Sequence, residues 1–289
     1  MKIAFAGLGV MGGPMAGHLV KAGHAVAGYN RSPAKARAWA EAIGGTFATT
    51  VAEAASGVEL LVLCVGNDDD VRSVVTEALP HLAPGAVIVD HTTTSAKVAR
   101  EMSALAAESG RFFIDAPVSG GQAGAENGQL SVMAGGDAEA LARVEAAVMT
   151  YSRAIKHMGP SGSGQLTKMV NQIAIAGVVQ GLAEAVHFAQ MAGLDTDAAY
   201  DAVSKGAAQS WQMDNRWKTA AKGEFDFGFA VDWMRKDLGL VLDEARANGA
   251  RLAQTALVDQ FYAEVQALGG NRWDTSSLKA RLPGPGEIK

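Results

Sequence analysis

The 289-residue chain has a single cysteine, Cys64. It can therefore form no internal disulfide, which fits a reducing compartment. It also lacks any excess of positive charge. A net charge of −5 argues against non-specific nucleic-acid binding, and an anionic ligand would need local cations. No uninterrupted apolar run reaches the roughly 18 residues of a membrane span. The most apolar stretch, about 163–192, is broken by Lys168, Asn171, Gln172, Gln180, Glu184 and His187, so no membrane insertion is expected. Met1-Lys2 leads into only a few apolar residues before glycines, so no signal peptide is expected either. His18, His24, His81, His91, His157 and His187 are scattered without metal-ligand spacing, and no metal is expected. Internal repeats and low-complexity tracts are absent. A soluble, cytoplasmic protein is expected. Its length suits two domains and its 48% hydrophobic content suits a substantial core.

The first motif follows the short apolar strand Ile3-Ala4-Phe5-Ala6. It is Gly7-Leu8-Gly9-Val10-Met11-Gly12, a G-x-G-x-x-G. Met11, Met15 and Leu19 then recur at helical spacing up to Gly23, and Ala25 to Asn30 reads as a second strand. Between a strand and a helix, in a unit of about 30 residues, this pattern predicts a dinucleotide-binding turn. The glycines let a pyrophosphate approach the helix N-terminus. An NAD-preferring fold usually ends its second strand in Asp or Glu. Here the strand ends in Asn30-Arg31-Ser32, and Arg can bind a 2′-phosphate, so NADP is expected over NAD. Ser32-Pro33 also reads as a helix N-cap and first helical residue.

The α/β alternation continues. Thr50 and Glu53 form a capping box. Residues 60–65 read as a buried strand that ends in Cys64-Val65 beside the cofactor, and Asp68-Asp69-Asp70 cap the next helix. Residues 86–90 form another strand, followed by His91-Thr92-Thr93-Thr94-Ser95 where parallel sheets bind ligands. Thr93 or Thr94 reads equally as a cap of the next helix or as a cofactor contact. Residues 112–118 are a strand with Ser119-Gly120-Gly121 at its end, whose backbone N–H groups can face an anion. Residues 122–128 read as a polar loop, 130–134 and 154–158 as strands, and 137–150 as a helix. Gly159-Pro160-Ser161-Gly162 breaks the composition, and the domain boundary is expected there, giving domains 1–162 and 163–289.

From residue 163 the pattern is helical throughout, with a polar tail from Gly269 that reads as partly unpacked. The expected fold is a Rossmann-type α/β domain and an all-α domain joined by a long helix. Such a pair is expected to leave a cleft, a favoured place for ligands. Lys168, Asn171 and Gln172 fall at i, i+3 and i+4 on the long helix and so share one face. A lysine and two amides on an otherwise apolar helix are costly unless paired. A substrate carboxylate and hydroxyl would pair them; the alternative is that the helix leaves the core at this point. Lys236-Asp237 reads either as a solvated pair or as a second cation for the site.

Four motifs in order resemble the β-hydroxyacid dehydrogenases, the group of 3-hydroxyisobutyrate dehydrogenase and tartronate semialdehyde reductase. The glycine turn, continued by Gly13-Pro14-Met15-Ala16, resembles the family's cofactor signature. Asp115-Ala116-Pro117-Val118-Ser119-Gly120-Gly121 resembles its substrate loop. Residues 164–172 resemble its catalytic Lys motif, and Lys236-Asp237-Leu238 its Lys-Asp-Leu element. The resemblance covers nearly the whole chain and implies roles. Lys168 is the acid/base on the substrate hydroxyl. Ser119, Gly120 and Gly121 hold the substrate carboxylate, and Asn171 binds beside Lys168. Lys236 sits near the nicotinamide, Thr93 contacts the cofactor, and Phe229 walls the pocket. The chemistry is consistent, because oxidising an alcohol needs a proton acceptor as hydride leaves. The family's usual form has two asparagines after the lysine. Gln172 stands for the second, as in the tartronate semialdehyde reductases. The resemblance also suggests a homodimer or homotetramer.

The expected function is an NAD(P)-dependent oxidoreductase interconverting a short 3-hydroxy acid and its semialdehyde, most like 3-hydroxyisobutyrate dehydrogenase. Reduction of tartronate semialdehyde, glyoxylate or succinic semialdehyde is the alternative. The 6-phosphogluconate dehydrogenases carry a Glu seven residues after the lysine, where this chain has Ile175, so no decarboxylation is expected. Imine reductases usually lack the lysine. A non-catalytic NADP-binding protein would lack Lys168 or the Ser-Gly-Gly loop, and both are present.

Overall fold

The computed structural model describes Met1–Gly284; the last five positions of the expected helical domain, 285–289, lie outside the described residues. The chain divides into two compact units, the first ending at Lys168 and the second beginning at Met169. Strands and helices alternate along the first unit. They are β1 (Lys2–Ala6), α1 (Gly12–Lys21), β2 (Ala25–Tyr29), α2 (Pro33–Ile43), β3 (Thr46–Ala48), α3 (Val51–Ala55), β4 (Leu60–Leu63) and α4 (Asp68–Ala78). Then follow β5 (Val87–Asp90), α5 (Ala96–Glu108), β6 (Phe112–Asp115), β7 (Val118–Ser119), α6 (Gly121–Glu126), β8 (Leu130–Gly135), α7 (Ala138–Val148) and β9 (Ser152–Gly159).

The sheet order is β3-β2-β1-β4-β5-β6-β8-β7, with β9 also on β8. The six strands from β3 to β6 are parallel, whereas β8 runs antiparallel to β6 and β7. Alternate residues of the central strands enter two cores, as a sheet covered on both faces requires. Ile3, Phe5, Leu60, Val62, Val87 and Val89 pack into one; Ala4, Ala6, Leu61, Leu63 and Ile88 pack into the other. The register aligns Ala6 with Leu63, Leu63 with Asp90, and Asp90 with Asp115. The segments that begin at Gly7, Cys64, His91 and Ala116 therefore leave the sheet along one edge. That edge, at the carboxyl ends of the strands, is where open α/β sheets bind ligands.

Local structure departs from the sequence reading in several places. β3 was not expected. Residues 122–128 are not simply a loop, because α6 runs over Gly121–Glu126. Asn67, not an aspartate, caps α4 by accepting from the Asp70 N–H; Asp68, Asp69 and Asp70 fill its first turn, where a negative charge suits the helix dipole. Ser95 caps α5, so neither Thr93 nor Thr94 is needed for that task. Ser32 occupies the N-cap of α2 ahead of Pro33, but its side chain makes no cap bond. In the Thr50 capping box, Glu53 reaches back to the N–H and hydroxyl of Thr49.

The second unit is helical. α8 (Ser163–Met191) starts in the first unit and continues into the second. After it come α9 (Thr196–Val203), α10 (Trp211–Lys222), α11 (Val231–Asn248) and α12 (Ala253–Ala267). Ala176, Val179 and Ala183 of α8 pack with Met234 and Leu238 of α11 and Val258, Tyr262 and Val265 of α12. By length and composition α8 could cross a membrane, because its polar positions are too few to lower the average; Val170, Val178, Phe188 and Met191 on it are exposed. The tail is not loosely packed over its first part. Thr275–Arg281 form a 3-10 helix, with Leu278 and Ser277 fully buried. Asp274 anchors it, accepting from the Ser276 N–H and hydroxyl and pairing with Arg216 at 3.0 Å.

Candidate active site

The glycine turn is shaped for a dinucleotide phosphate. Gly7 has φ +101°, and a Cβ there would lie 2.1 Å from the Cys64 carbonyl oxygen. A Cβ on Gly12 would lie 1.9 Å from the Gly7 carbonyl oxygen. These two glycines let the turn close. A Cβ on Gly9 would meet nothing within 4 Å, so the middle of the turn faces open space, with exposed Val10 beside it. Leu8 is buried beneath, and Met11 is the N-cap of α1 with no side-chain cap bond and no acid in the first turn. Six helices, α3, α4, α5, α7, α9 and α10, carry a side-chain cap, whereas α1, like α2 and α6, does not. An N-terminus with uncapped N–H groups beside open glycine backbone fits the pyrophosphate of NAD(P).

The end of β2 is tied to the same turn. The Asn30 side-chain oxygen accepts from the Leu8 N–H at 3.2 Å, and the Gly7 N–H donates to the Tyr29 carbonyl at 2.9 Å. Asn30 thus holds the loop as well as marking the strand end. Arg31 and Ser32 are exposed. The Arg31 guanidinium pairs with Asp70 at 3.2 Å; its side chain is 83% exposed and that of Asp70 is 23% exposed. Asp70 also accepts from the Gly66 N–H. This pairing across 39 residues has no signal in the sequence, where Asp70 is one of three consecutive acids.

Cys64 and Val65 follow β4, both half-buried. The Val65 N–H donates to the Thr92 hydroxyl at 3.0 Å, which joins the β4 and β5 exits. His91 is structural. Its Nδ1 lies 2.6 Å from the Ala116 carbonyl, which can only accept, so Nδ1 carries the proton and Nε2 accepts from the Tyr151 hydroxyl at 2.9 Å. Burial lowers the His91 pKa to about 4. Thr93 is half-buried between the buried Thr92 and Thr94.

The Thr92–Thr94 turn is bound to α8. Gln165, fully buried, accepts from the Thr94 N–H at 3.0 Å and donates to the Thr92 carbonyl at 2.8 Å. Asp115, at the end of β6 and also fully buried, caps the start of α8 by accepting from the Gly162 N–H at 2.7 Å and the Gln165 N–H at 3.0 Å. Burial pushes the Asp115 carboxyl up to about 6, against the opposing pull of these backbone donors. Both residues fall inside motifs quoted from the sequence, but neither had a role assigned to it there. Lys168 lies one turn beyond Gln165 and is buried, 8% exposed. Ser119 is half-buried at the end of β7. Gly120 and Gly121 are exposed, with φ +136° and +60°. Any side chain there would be strained, so the motif needs glycine.

In the second unit the polar residues after Lys168 form a chain of contacts. Asn171 donates to the Gln172 side-chain oxygen Oε1 at 2.8 Å, and the Gln172 side-chain amide donates to Asp237 at 2.7 Å. Asp237 pairs with Lys236 at 3.2 Å. Asp237 is only 2% exposed, so this is not the solvated pair considered from the sequence. Both ends of the Gln172 amide are engaged by protein, whereas Asn171 is half-buried. Phe229 is exposed, and its N–H donates to Asp274, which makes the tail part of what holds it. Among the described residues no cluster of His, Cys, Asp or Glu is arranged to hold a metal.

A dinucleotide-binding sheet with this lysine-bearing helix after it defines a class of oxidoreductases, and comparison with known proteins agrees. The model of the NAD binding domain of 6-phosphogluconate dehydrogenase matches residues 2–159. The model described as NAD-binding of NADP-dependent 3-hydroxyisobutyrate dehydrogenase matches residues 162–282. An uncharacterized oxidoreductase of Shewanella frigidimarina is 61% identical over 284 residues, covering 97% of this chain and 98% of that protein. The probable 3-hydroxyisobutyrate dehydrogenase-like 1, mitochondrial, of Arabidopsis thaliana is 39% identical, covering 97% and 85%. The solved Mycobacterium tuberculosis 3-hydroxyisobutyrate dehydrogenase with L-serine superposes with a TM-score of 0.89 at 32% identity, covering 98% and 99%. The chain belongs to the 3-hydroxyisobutyrate dehydrogenase-like family of β-hydroxyacid dehydrogenases and is an NAD(P)-dependent oxidoreductase.

Proposed function

We propose that the protein interconverts a short 3-hydroxy acid and its semialdehyde, with Lys168 as the general acid/base and NADP as the preferred cofactor. The observation that carries the reading is Lys168 itself. It is a buried lysine on the helix that Asp115 and Gln165 fasten to the ligand edge of a dinucleotide-binding sheet. A nicotinamide cofactor supplies the hydride acceptor or donor. The turn at Gly7, Leu8, Gly9, Val10, Met11 and Gly12 holds its pyrophosphate, and Asn30, Arg31 and Ser32 its adenosine ribose. Cys64, Val65 and Thr93 line the way to the reacting end. In oxidation the Lys168 amine takes the hydroxyl proton; in reduction its ammonium returns that proton to the carbonyl oxygen. Ser119 and the N–H groups of Gly120 and Gly121 hold the substrate carboxylate. Asn171 orients the hydroxyl-bearing carbon. Gln172 acts through Asn171 and Asp237, and Lys236 adds a second cation near the substrate and nicotinamide. Phe229 gives the pocket an apolar wall.

The Asn171-Gln172 pair favours a second reading, reduction of tartronate semialdehyde, whose reductases resemble this version of the motif; glyoxylate and succinic semialdehyde differ from the first reading only in the pocket lining they would need. The compartment proposed is the cytoplasm, and the assembly a homodimer or homotetramer that covers the exposed apolar residues of α8. A spectrophotometric screen with NADP and NAD separates the readings. It would test 3-hydroxyisobutyrate, 3-hydroxypropionate, serine, glycerate and 4-hydroxybutyrate; serine is included because the M. tuberculosis relative is described with L-serine. Fastest NADP reduction with a branched or unbranched 3-hydroxy acid supports the first reading. Fastest turnover of glycerate or 4-hydroxybutyrate replaces it with the second. A clear NAD preference overturns the assignment of Arg31.

A further inference from the structure

We infer that Asp115 and Gln165 are a pair of positioning residues that lock the lysine-bearing helix to the Thr92–Thr94 turn, so that acid/base and cofactor contact keep one fixed spacing. The inference rests on the proposed roles of Lys168 and Thr93. Three observations carry it. First, the helix start is held by side-chain geometry and not by packing alone: both Asp115 carboxylate oxygens accept backbone N–H groups, from Gly162 and Gln165. Second, the Gln165 amide makes a two-point contact with a segment more than 70 residues away in sequence, matching a donor to the Thr92 carbonyl and an acceptor to the Thr94 N–H. A two-point amide clamp fixes orientation as well as distance, because neither bond survives rotation of the helix about its axis. Third, the backbone around the carboxylate is too close for side chains. A Cβ on Gly164 would lie 2.4 Å from the Met133 carbonyl and 2.8 Å from the Asp115 carboxylate, and one on Gly135 would lie 2.7 Å from that carboxylate. Lys168 follows Gln165 by three residues, and so sits on the same side of the helix. Thr93 stands between the two residues that Gln165 grips.

Both side chains are fully buried, so neither touches solvent, and the Gln165 amide is committed to backbone partners. Their effect is therefore exerted through Lys168 and Thr93. A displacement of about 1 Å at a reacting group can cost on the order of a hundredfold in rate. Gln165→Met keeps the side chain's length and removes both hydrogen bonds. Gln165→Glu keeps the acceptor and restores the donor only when its carboxyl is protonated.

The test measures kcat and KM for both variants from pH 5 to 9, at a temperature where each is folded by circular dichroism, beside the parent and Lys168→Ala. The expected result is a kcat for Gln165→Met at least tenfold below the parent, with KM for the cofactor changed less than threefold. The ratio of Gln165→Glu to parent kcat should rise as pH falls, while the Gln165→Met ratio stays flat. Asp90, His91, Asp115 and Lys168, the ionisable groups on the neighbouring strand ends and on α8, are common to parent and variants, and the Gln165→Met ratio reads how far their own titration contributes. Should Gln165→Met fail to fold, the pH-dependent rescue of Gln165→Glu still decides. A folded variant with kcat within twofold of the parent, or a Gln165→Glu ratio independent of pH, overturns the inference. Turnover retained by Lys168→Ala overturns instead the reading on which it rests.

Discussion

Replacing Arg31 with alanine should weaken NADPH binding and leave NADH binding nearly unchanged. A guanidinium–phosphate hydrogen bond contributes roughly 1.5–3 kcal/mol. Arg31 is not idle without cofactor, because it pairs with Asp70 at 3.2 Å. With the arginine side chain 83% exposed, that pair is worth at most about 1 kcal/mol, which the 2′-phosphate must overcome. The net preference carried by Arg31 is then about 0.5–2 kcal/mol, or roughly 2- to 30-fold in dissociation constant. Asp70→Asn removes the competing charge and keeps an acceptor for the Gly66 N–H, so it should tighten NADPH binding by up to about fivefold. Quenching of protein fluorescence by NADPH and NADH, titrated at two salt concentrations, reads both changes. The NADPH advantage should shrink with salt, since the groups are exposed. Equal weakening of both cofactors by Arg31→Ala, or no response of NADPH to Asp70→Asn, would refute the reasoning.

Two further outcomes follow from buried groups. Gly12→Ala puts a methyl 1.9 Å from the Gly7 carbonyl, so the turn must open; fluorescence titration should show at least tenfold weaker binding of both cofactors, and unaltered affinity would contradict the phosphate-cradle account. His91 has a folded pKa lowered to about 4 from 6.5. The stability it contributes as a neutral group is therefore present above pH 6.5 and lost as pH falls toward 4, on the order of 3 kcal/mol in all. Asp115 runs the other way: its raised value means that its contribution is present below pH 3.8 and lost as pH rises through about 6. Urea unfolding of the parent and His91→Gln at pH 7 and pH 4.5 should show a smaller acid-induced loss in the variant. Equal losses would mean that His91 is not buried as a neutral imidazole.

Much of the fold was legible because its signals are local. The glycine turn, the apolar strands and the helical periodicity of 163–192 each lie within a few residues of sequence. β3 was hidden because three residues beside Gly44-Gly45 show too little alternation. α6 was hidden because Gly121, Gly124 and Gly128 read as loop formers, whereas the segment turns Ala125 into the core. Candidate residues were found through motif spacing and chemistry, which singled out Lys168, Asn171 and Ser119. What spacing could not give was pairing at a distance. Arg31 meets Asp70, Gln165 meets Thr92 and Thr94, and Phe229 hangs from Asp274 in a tail that composition alone made look unpacked.

The central claim is that Lys168 transfers the substrate's hydroxyl proton. Single-turnover kinetics of Lys168→Ala, with NADPH binding measured in the same samples, tests it most directly. The account predicts a loss of at least a hundredfold in the hydride-transfer rate with the NADPH dissociation constant unchanged. Turnover close to the parent's, in a variant that binds NADPH normally, would contradict it.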